Sequence, residues 1–288
     1  QIMRPDAVTV KLHIDGRKTA VNMEKVDEAG FFAALVSSKK KLSYTYSVEK
    51  VNGEVTEYTD PYAFANVTKP EDYKAFLAGE EKNAAHIFGA HERTVNGVKG
   101  VLFNVWAPKA LSVSVVGEFN KYDGRVHLME RIEDTGVFEL FIPGLAAGCG
   151  YMYEIKRQGK GTTRKLDPVS RQISSVPITA SVVSDENMPD SYAWNDGLWM
   201  IKRKKEAGKK KPVTVYEVSL TDWLKEKSAD ELVDFVKQEG YTHVCFLPVA
   251  EYLNEEMNGY STLGYFAVTH RTGGSDAFKK LVDDCHNA

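Results

Sequence analysis

Apolar and polar positions alternate with a period of two through much of the first 170 residues. Val8, Val10, Leu12 and Ile14 are apolar, and Thr9, Lys11 and His13 between them are polar. That is the pattern of a strand with one buried face. Leu111, Val113 and Val115 alternate with Ser112 and Ser114 in the same way, so this region predicts short strands packed as sandwiches. Residues 70–79 break the pattern with a short helix, placing Tyr73, Phe76 and Leu77 on one face. Thr68 is placed to cap that helix, Pro70 suits its first turn and Gly79 its stop. From residue 213 the pattern becomes strand, helix, strand, helix. Residues 213–220 read as a buried strand of the parallel type, and residues 242–249 as a second strand. Ser228-Ala229-Asp230-Glu231 is a capping box opening a helix with Leu232, Phe235 and Val236 inward, stopped at Gly240. Ser275 is placed to cap a second helix carrying Phe278, Leu281, Val282 and Cys285 on one face. The alternation argues for βα units.

The β-rich region repeats itself. Gly30-Phe31-Phe32 is followed 14 residues later by Tyr44, then Tyr46 and Val48 at alternate positions, then Asp60-Pro61. Gly136-Val137-Phe138 is followed 15 residues later by Tyr151, then Tyr153 and Ile155, then Asp167-Pro168. In both copies the aspartate falls 16 residues after the first tyrosine. The shared spacing predicts two related sandwiches in tandem.

An ordered series of motifs runs through the second copy. Gly89-Ala90-His91 is followed by Phe103-Asn104-Val105-Trp106-Ala107-Pro108 and by Val115-Val116-Gly117-Glu118-Phe119-Asn120. Asp123-Gly124-Arg125, Phe138 to Gly144, Lys165, Asp167-Pro168 and Thr179 to Val183 come next, and Tyr192-x-Trp194-x-Asp196-x-x-Trp199 closes the series. Together they resemble the family-48 carbohydrate-binding sandwich of glycogen branching enzymes, and the first copy resembles the extra N-terminal module of many bacterial members. In the turn where that family usually has Trp, this chain has Tyr122, whose ring still offers a flat face to a sugar. Trp106, inside an alternating strand, is expected in the core. His91 belongs to the motif and is expected to be structural.

Composition changes this picture little. The formal charge is 37 minus 40, or −3, which suggests no nucleic-acid or membrane-surface role. The one basic run, Lys202 to Lys211, lacks interleaved aromatics and reads as a solvated linker. No apolar stretch approaches the roughly 20 residues a bilayer-spanning helix needs. The N-terminus lacks the basic and apolar regions of a secretion signal. Three scattered cysteines, Cys149, Cys245 and Cys285, form no pair by spacing, and a reduced cytoplasmic location is expected. His86 and His91 do not suggest a metal site.

The last third resembles the opening of a family-thirteen glycoside hydrolase barrel. Val215-Tyr216-Glu217-Val218 with Trp223 looks like the first strand; Leu247-Pro248 with Glu251, then Gly259-Tyr260, look like the second strand and its loop. Gly264-Tyr265-Phe266-Ala267 and Asp283-x-x-His286 continue the likeness. Several loop positions between Tyr252 and Leu263 depart from the family, and its first-strand His is Ser219 here. By the resemblance, Tyr260 would stack under the sugar at the cleavage point, with Tyr122 and Glu251 as further substrate-binding positions. Only 76 residues lie between Val213 and Ala288, whereas a complete (β/α)₈ barrel takes roughly 250. The family's catalytic carboxylates fall after that point. No acidic pair here stands ready to flank a scissile bond at the roughly 5 Å that retaining transfer requires. Glu251, Glu255 and Glu256 are therefore not assigned catalytic roles.

The expected architecture is a multi-domain chain: an immunoglobulin-like β-sandwich over 1–68, a helical connector over 69–88 and a family-48 sandwich over 89–200. A basic linker over 201–212 follows, then the first βα units of an incomplete TIM barrel over 213–288. The resemblance implies a front portion of a branching enzyme, binding α-glucan (glycogen, amylose or maltooligosaccharide) without cofactor or metal. The full activity would move an α-1,4-glucan segment to a 6-hydroxyl, and this chain alone is expected to be inactive. Two alternatives stand beside it: a non-catalytic glucan-binding protein, and a related debranching or trehalose-releasing enzyme.

Overall fold

The alternation in the first sixty residues resolves into two facing sheets. Strands Val21–Asn22, Ala7–Ile14, Tyr44–Lys50 and Val55–Tyr58 form a four-stranded antiparallel sheet in that order. Strands Ile2–Met3, Phe31–Ala33 and Glu24–Asp27 form the other sheet. Val10, Leu12, Tyr46 and Val48 from the first meet Ile2 and Phe32 from the second in one core. Val8 is not part of it. A register shift between Ala7 and Thr9 turns Val8 to solvent and Ala7 inward, as a bulge does when it adds a residue to one strand. In this computed structural model residues 1–174, 178–184 and 192–288 are described. They fall into two compact units, 1–167 and 168–288.

A second sandwich completes the first unit. Strands Glu130–Arg131, Val137–Pro143, Val98–Trp106 and Gly89–Val95 form one sheet. Strands Ser112–Val116, Gly150–Arg157 and Lys160–Lys165 pair opposite. Residues 137–142 and 101–105 are buried on both faces of their strands, more than a period-two pattern gives. The outer face of that sheet is covered. Phe64 packs edge-on against Phe141 at 4.9 Å, and Tyr73 reaches Asn104. Glu139, fully buried, accepts from Val67 N (2.6 Å), Thr68 N, the Thr68 hydroxyl and Asn104 Nδ2. Thr68 is thereby committed to Glu139 and does not cap the following helix. Lys69 takes the cap position, its N–H donating to Asp72 at 2.8 Å. That helix is a 3₁₀ turn, Pro70–Tyr73, running into Lys74–Leu77, and Leu77 is exposed while Tyr73 is buried.

The tandem repeat has a physical content. Tyr44 and Tyr46 both donate to Asp60 Oδ2, at 2.8 and 3.3 Å. Tyr151 and Tyr153 both donate to Asp167 Oδ2, at 2.6 and 3.2 Å. The ring pairs are edge-on in both copies, at 5.4 and 5.7 Å. Alternate residues of one strand face the same side, so two tyrosines two apart converge on one carboxylate.

Within the second unit, strands Val215–Val218 and His243–Phe246 pair in parallel. Both are shorter than the apolar runs suggested. Ser219 ends the first by capping the short helix Leu220–Trp223. Helices Ala229–Gln238 and Gly274–Asn287 pack their apolar faces on this pair through Leu232, Val236 and Leu281. The Ser228–Glu231 capping box forms in both directions, at 3.2 and 2.7 Å. Ser275 does not cap its helix, which begins one residue earlier, behind Gly273 at φ +88°.

Two motifs read separately in the sequence meet here. Tyr192 and the Asn195 N–H donate to Asp283, and His286 bonds Asp196 at 2.8 Å while stacking on Trp199 at 3.5 Å. The helix that carries Trp199, Gly197–Glu206, extends through Lys202 to Lys205. The first half of the basic segment is therefore helical rather than an open linker.

Candidate functional site

The Tyr122 turn is built by its own polar residues. Asn120 accepts the Gly117 N–H at 3.0 Å and donates to Val115 O at 2.8 Å. Its amide also donates to His127 Nδ1 at 3.0 Å, which leaves the Nε2 proton facing the Tyr58 hydroxyl at 3.1 Å. Asp123 clamps the Arg125 guanidinium at 2.9 and 2.6 Å. The Arg125 bonds hold the Asp123 carboxyl below the usual range. With those residues committed to shape, Lys121 and Tyr122 take left-handed backbone angles, φ 54° and 58°. This unusual geometry for non-glycine residues presents the Tyr122 ring at the surface, half-buried.

Arg164 completes that surface. It donates to Tyr122 O at 2.8 Å, holds Glu154 at 3.2 Å and places its guanidinium 5.7 Å from the Tyr122 ring centre. Glu154 and Arg164 are direct cross-strand partners. A Cβ on Gly124 would come within 2.2 Å of the Glu154 carboxylate, so glycine there keeps the acid in place. An aromatic face beside a planar donor fork suits a sugar, one stacking on the apolar ring face and the other bonding hydroxyls. The motif series in the sequence marks Tyr122 but neither Arg164 nor Glu154. The only signal for them was their place on strands flanking the Tyr–Tyr–Asp repeat.

In the second unit Glu251 and Tyr260 share one hairpin, with strands Ala250–Tyr252 and Thr262–Val268. Glu251 is 1% exposed. Its Oε1 accepts from Arg271 Nη1 (2.6 Å), Thr269 Oγ1 and Tyr252 N, and its Oε2 from His270 N and Nδ1 (3.0 and 2.9 Å). Burial pushes this carboxyl up, but the His270 and backbone bonds outweigh it and hold the group below its usual value. Tyr260, by contrast, is 63% exposed. It follows Asn258 and Gly259 at φ 48° and 84°, in a turn where a Cβ on Gly259 would sit 3.0 Å from Pro248 O. The hairpin thus has an ionic centre at Glu251 and an aromatic tip at Tyr260.

Trp106 departs from expectation: it is 45% exposed, at the end of its strand. Phe76 packs edge-on against one side of it at 5.3 Å. His91 is buried and bonded to Phe88 O at 3.0 Å. Among the described residues no group of His, Cys, Asp and Glu is placed to hold a metal ion, and no helix is long and apolar enough to cross a membrane.

Two family models match. Residues 87–170 match carbohydrate-binding module 48, described as the isoamylase N-terminal domain, so the second sandwich is a module of that class. Residues 1–62 match the N-terminal domain of the α-1,4-glucan branching enzyme GlgB. Curated relatives agree. The 1,4-alpha-glucan branching enzyme GlgB of Methylococcus capsulatus is 37% identical over 98% of this chain and 39% of its own length. The enzyme of the same name from Nitrosococcus oceani is 40% identical over 86% of this chain and 34% of its own. The chain belongs to the 1,4-α-glucan branching enzyme family and spans about two-fifths of the length of the curated relatives it matches. A solved structure, the catalytic module of the pneumococcal virulence factor SpuA, aligns with a TM-score of 0.48 and 21% identity. That alignment covers 69% of this chain and 36% of that one.

Proposed function

We propose that this chain is the glucan-binding front of a glycogen- or starch-branching enzyme, which transfers an α-1,4-glucan segment to a 6-hydroxyl. The observation that carries the reading is similarity over 98% of the chain to an enzyme named for that reaction. The domain limits follow the sequence reading: sandwiches over 1–68 and 89–200 joined by a connector over 69–88, a basic segment over 201–212, and the opening of a catalytic barrel over 213–288. The parallel strand pair with its two helices supports that last assignment. The proposed location is the cytoplasm.

Tyr122, with Arg164 beside it, is the proposed sugar contact on the family-48 module. Tyr260 is the proposed stacking residue on the barrel side. Glu251, in the same hairpin, acts as a positioning residue, because all its acceptor capacity is spent on Arg271, His270, Thr269 and backbone. No carboxylate here is proposed as nucleophile or acid, so the chain alone should bind maltoheptaose but leave iodine-stained amylose unchanged. Calorimetry with maltoheptaose and an iodine assay test both halves. Absence of glucan binding, or branching by residues 1–288 alone, sinks the reading. In a longer protein, loss of iodine colour without release of reducing sugar separates branching from debranching.

A further inference from the structure

Trp106 stands at the mouth of a groove of about 280 Å³ on the family-48 module, lined also by Pro108, Lys109, Arg157, Thr163 and Lys165. The groove lies on the opposite side of the hairpin from the Tyr122 surface. Side chains alternate across a strand, so Thr163 and Lys165 point one way and Arg164, between them, points the other. Arg164 is committed to Tyr122 and Glu154. Ile155, directly paired with Thr163, continues the groove floor. The two surfaces therefore share strands but no residue.

The lining has an unusual balance. Its three charged side chains, Lys109, Arg157 and Lys165, are all cationic and exposed, and no acid lines the groove. None of the three has an ion-pair partner among the described residues. Their neighbour is a large aromatic face left 45% open, which is more than its edge contact with Phe76 needs. A neutral sugar gains from the ring but leaves three like charges uncompensated. An anion alone gains from the charges but leaves the ring in water. A ligand with an apolar ring face and a phosphate satisfies both. The volume lies near the lower end for small-molecule sites, roughly 300 Å³, which suits one hexose rather than a helical glucan segment.

We propose that the Trp106 groove is a second carbohydrate site that takes a phosphate-bearing hexose, its ring on Trp106 and its phosphate among Lys109, Arg157 and Lys165. This rests on the glucan-binding reading above, but uses none of the residues assigned there.

The test is calorimetry on the whole 288-residue chain with glucose 6-phosphate, phosphorylated maltoheptaose, plain maltoheptaose and inorganic phosphate. Glucose 6-phosphate should bind, and Trp106→Ala and Lys165→Gln should each weaken it roughly tenfold. The affinity should fall as salt rises. Inorganic phosphate should bind more weakly than the sugar phosphate, and its binding should not change on Trp106→Ala. Tighter binding of phosphorylated maltoheptaose than of glucose 6-phosphate identifies the polymer as the source; equal binding identifies the free sugar. Plain maltoheptaose should respond to Arg164→Ala and not to Trp106→Ala, so failure of either site is read separately. The proposal is overturned if neither phosphosugar binds, if Trp106→Ala leaves their affinity unchanged, or if only an acidic peptide such as oligoglutamate is captured. Circular dichroism of Lys165→Gln, an exposed change, controls for folding should Trp106→Ala disturb the sandwich.

Discussion

Asp60 and Asp167 each gather two tyrosine hydroxyls from the same strand, and each carboxylate is buried with them. Replacing Asp167 with Asn keeps the shape but turns charge-assisted bonds into neutral ones. A loss of about 1–3 kcal/mol of stability in urea titration is the expected outcome; no loss would show that the cluster does not hold the sandwich. The same clusters set an alkaline limit. Burial, then the Asp60 charge, pushes the Tyr44 hydroxyl up to about 12 and raises Tyr46 further. A folded-state value above the unfolded one gives stability that is whole below about pH 10 and lost as pH rises through the folded value. His127 sets the acid limit with the opposite sign. Burial, with the Arg4 charge second, lowers it to about 4, so the unfolded chain binds a proton near pH 6.5 that the native state refuses. Stability should be whole above that pH and fall as pH drops towards 4, by about 3 kcal/mol at most. His127→Gln should flatten the profile between pH 4 and 6.5; an unchanged slope would show that another group carries it.

At the scale of elements, what the sequence disclosed depended on how local the cause was. The Tyr–Tyr–Asp spacing was readable because strand alternation fixes it within one hairpin. The Ser228 capping box was readable because its four residues complete it. Val8 departs from the alternation because a single-residue bulge, invisible to periodicity, turns it outward. Trp106 departs from it for a related reason: alternation assigns a face, but not whether anything lies opposite the end of a strand. Arg164 and Glu154 form a cross-strand pair, and no local signal marks a partner ten positions away. The Glu251 hairpin makes the same point, since its ligands Thr269, His270 and Arg271 lie beyond the second strand. Glu251→Gln removes the charge that Arg271 answers in a buried setting. The expected cost is about 3 kcal/mol or more, the penalty for stripping one partner from a buried pair. It should appear as faster amide exchange across residues 250–268; unchanged protection there would remove Glu251 from its positioning role.

At the scale of the molecule, the second unit leaves an unusual amount of apolar surface open. Tyr265 and Phe266 are successive residues of one strand, 82% and 52% exposed, so that strand lacks full cover on either face. Leu198, on the helix that runs into the basic segment, is 84% exposed. Among the described residues the parallel pair Val215–Val218 and His243–Phe246 is two strands wide, whereas parallel sheets are covered on both faces. The relatives are much longer than this chain, and under the proposed reading their further barrel units supply the missing cover. Left open, such surface associates with itself. The chain should therefore sediment as a concentration-dependent mixture and bind a hydrophobic dye. Leu198→Ser with Tyr265→Ser should reduce both while shifting folding stability by no more than about 0.5 kcal/mol per site, the usual range for exposed positions. In a protein of the relatives' length, the proposed further units would cover this hairpin strand, and the same serine there should cost several-fold more stability. Equal, small effects in both lengths would mean that these residues face solvent in the longer protein too, and that the proposed further units do not cover this strand.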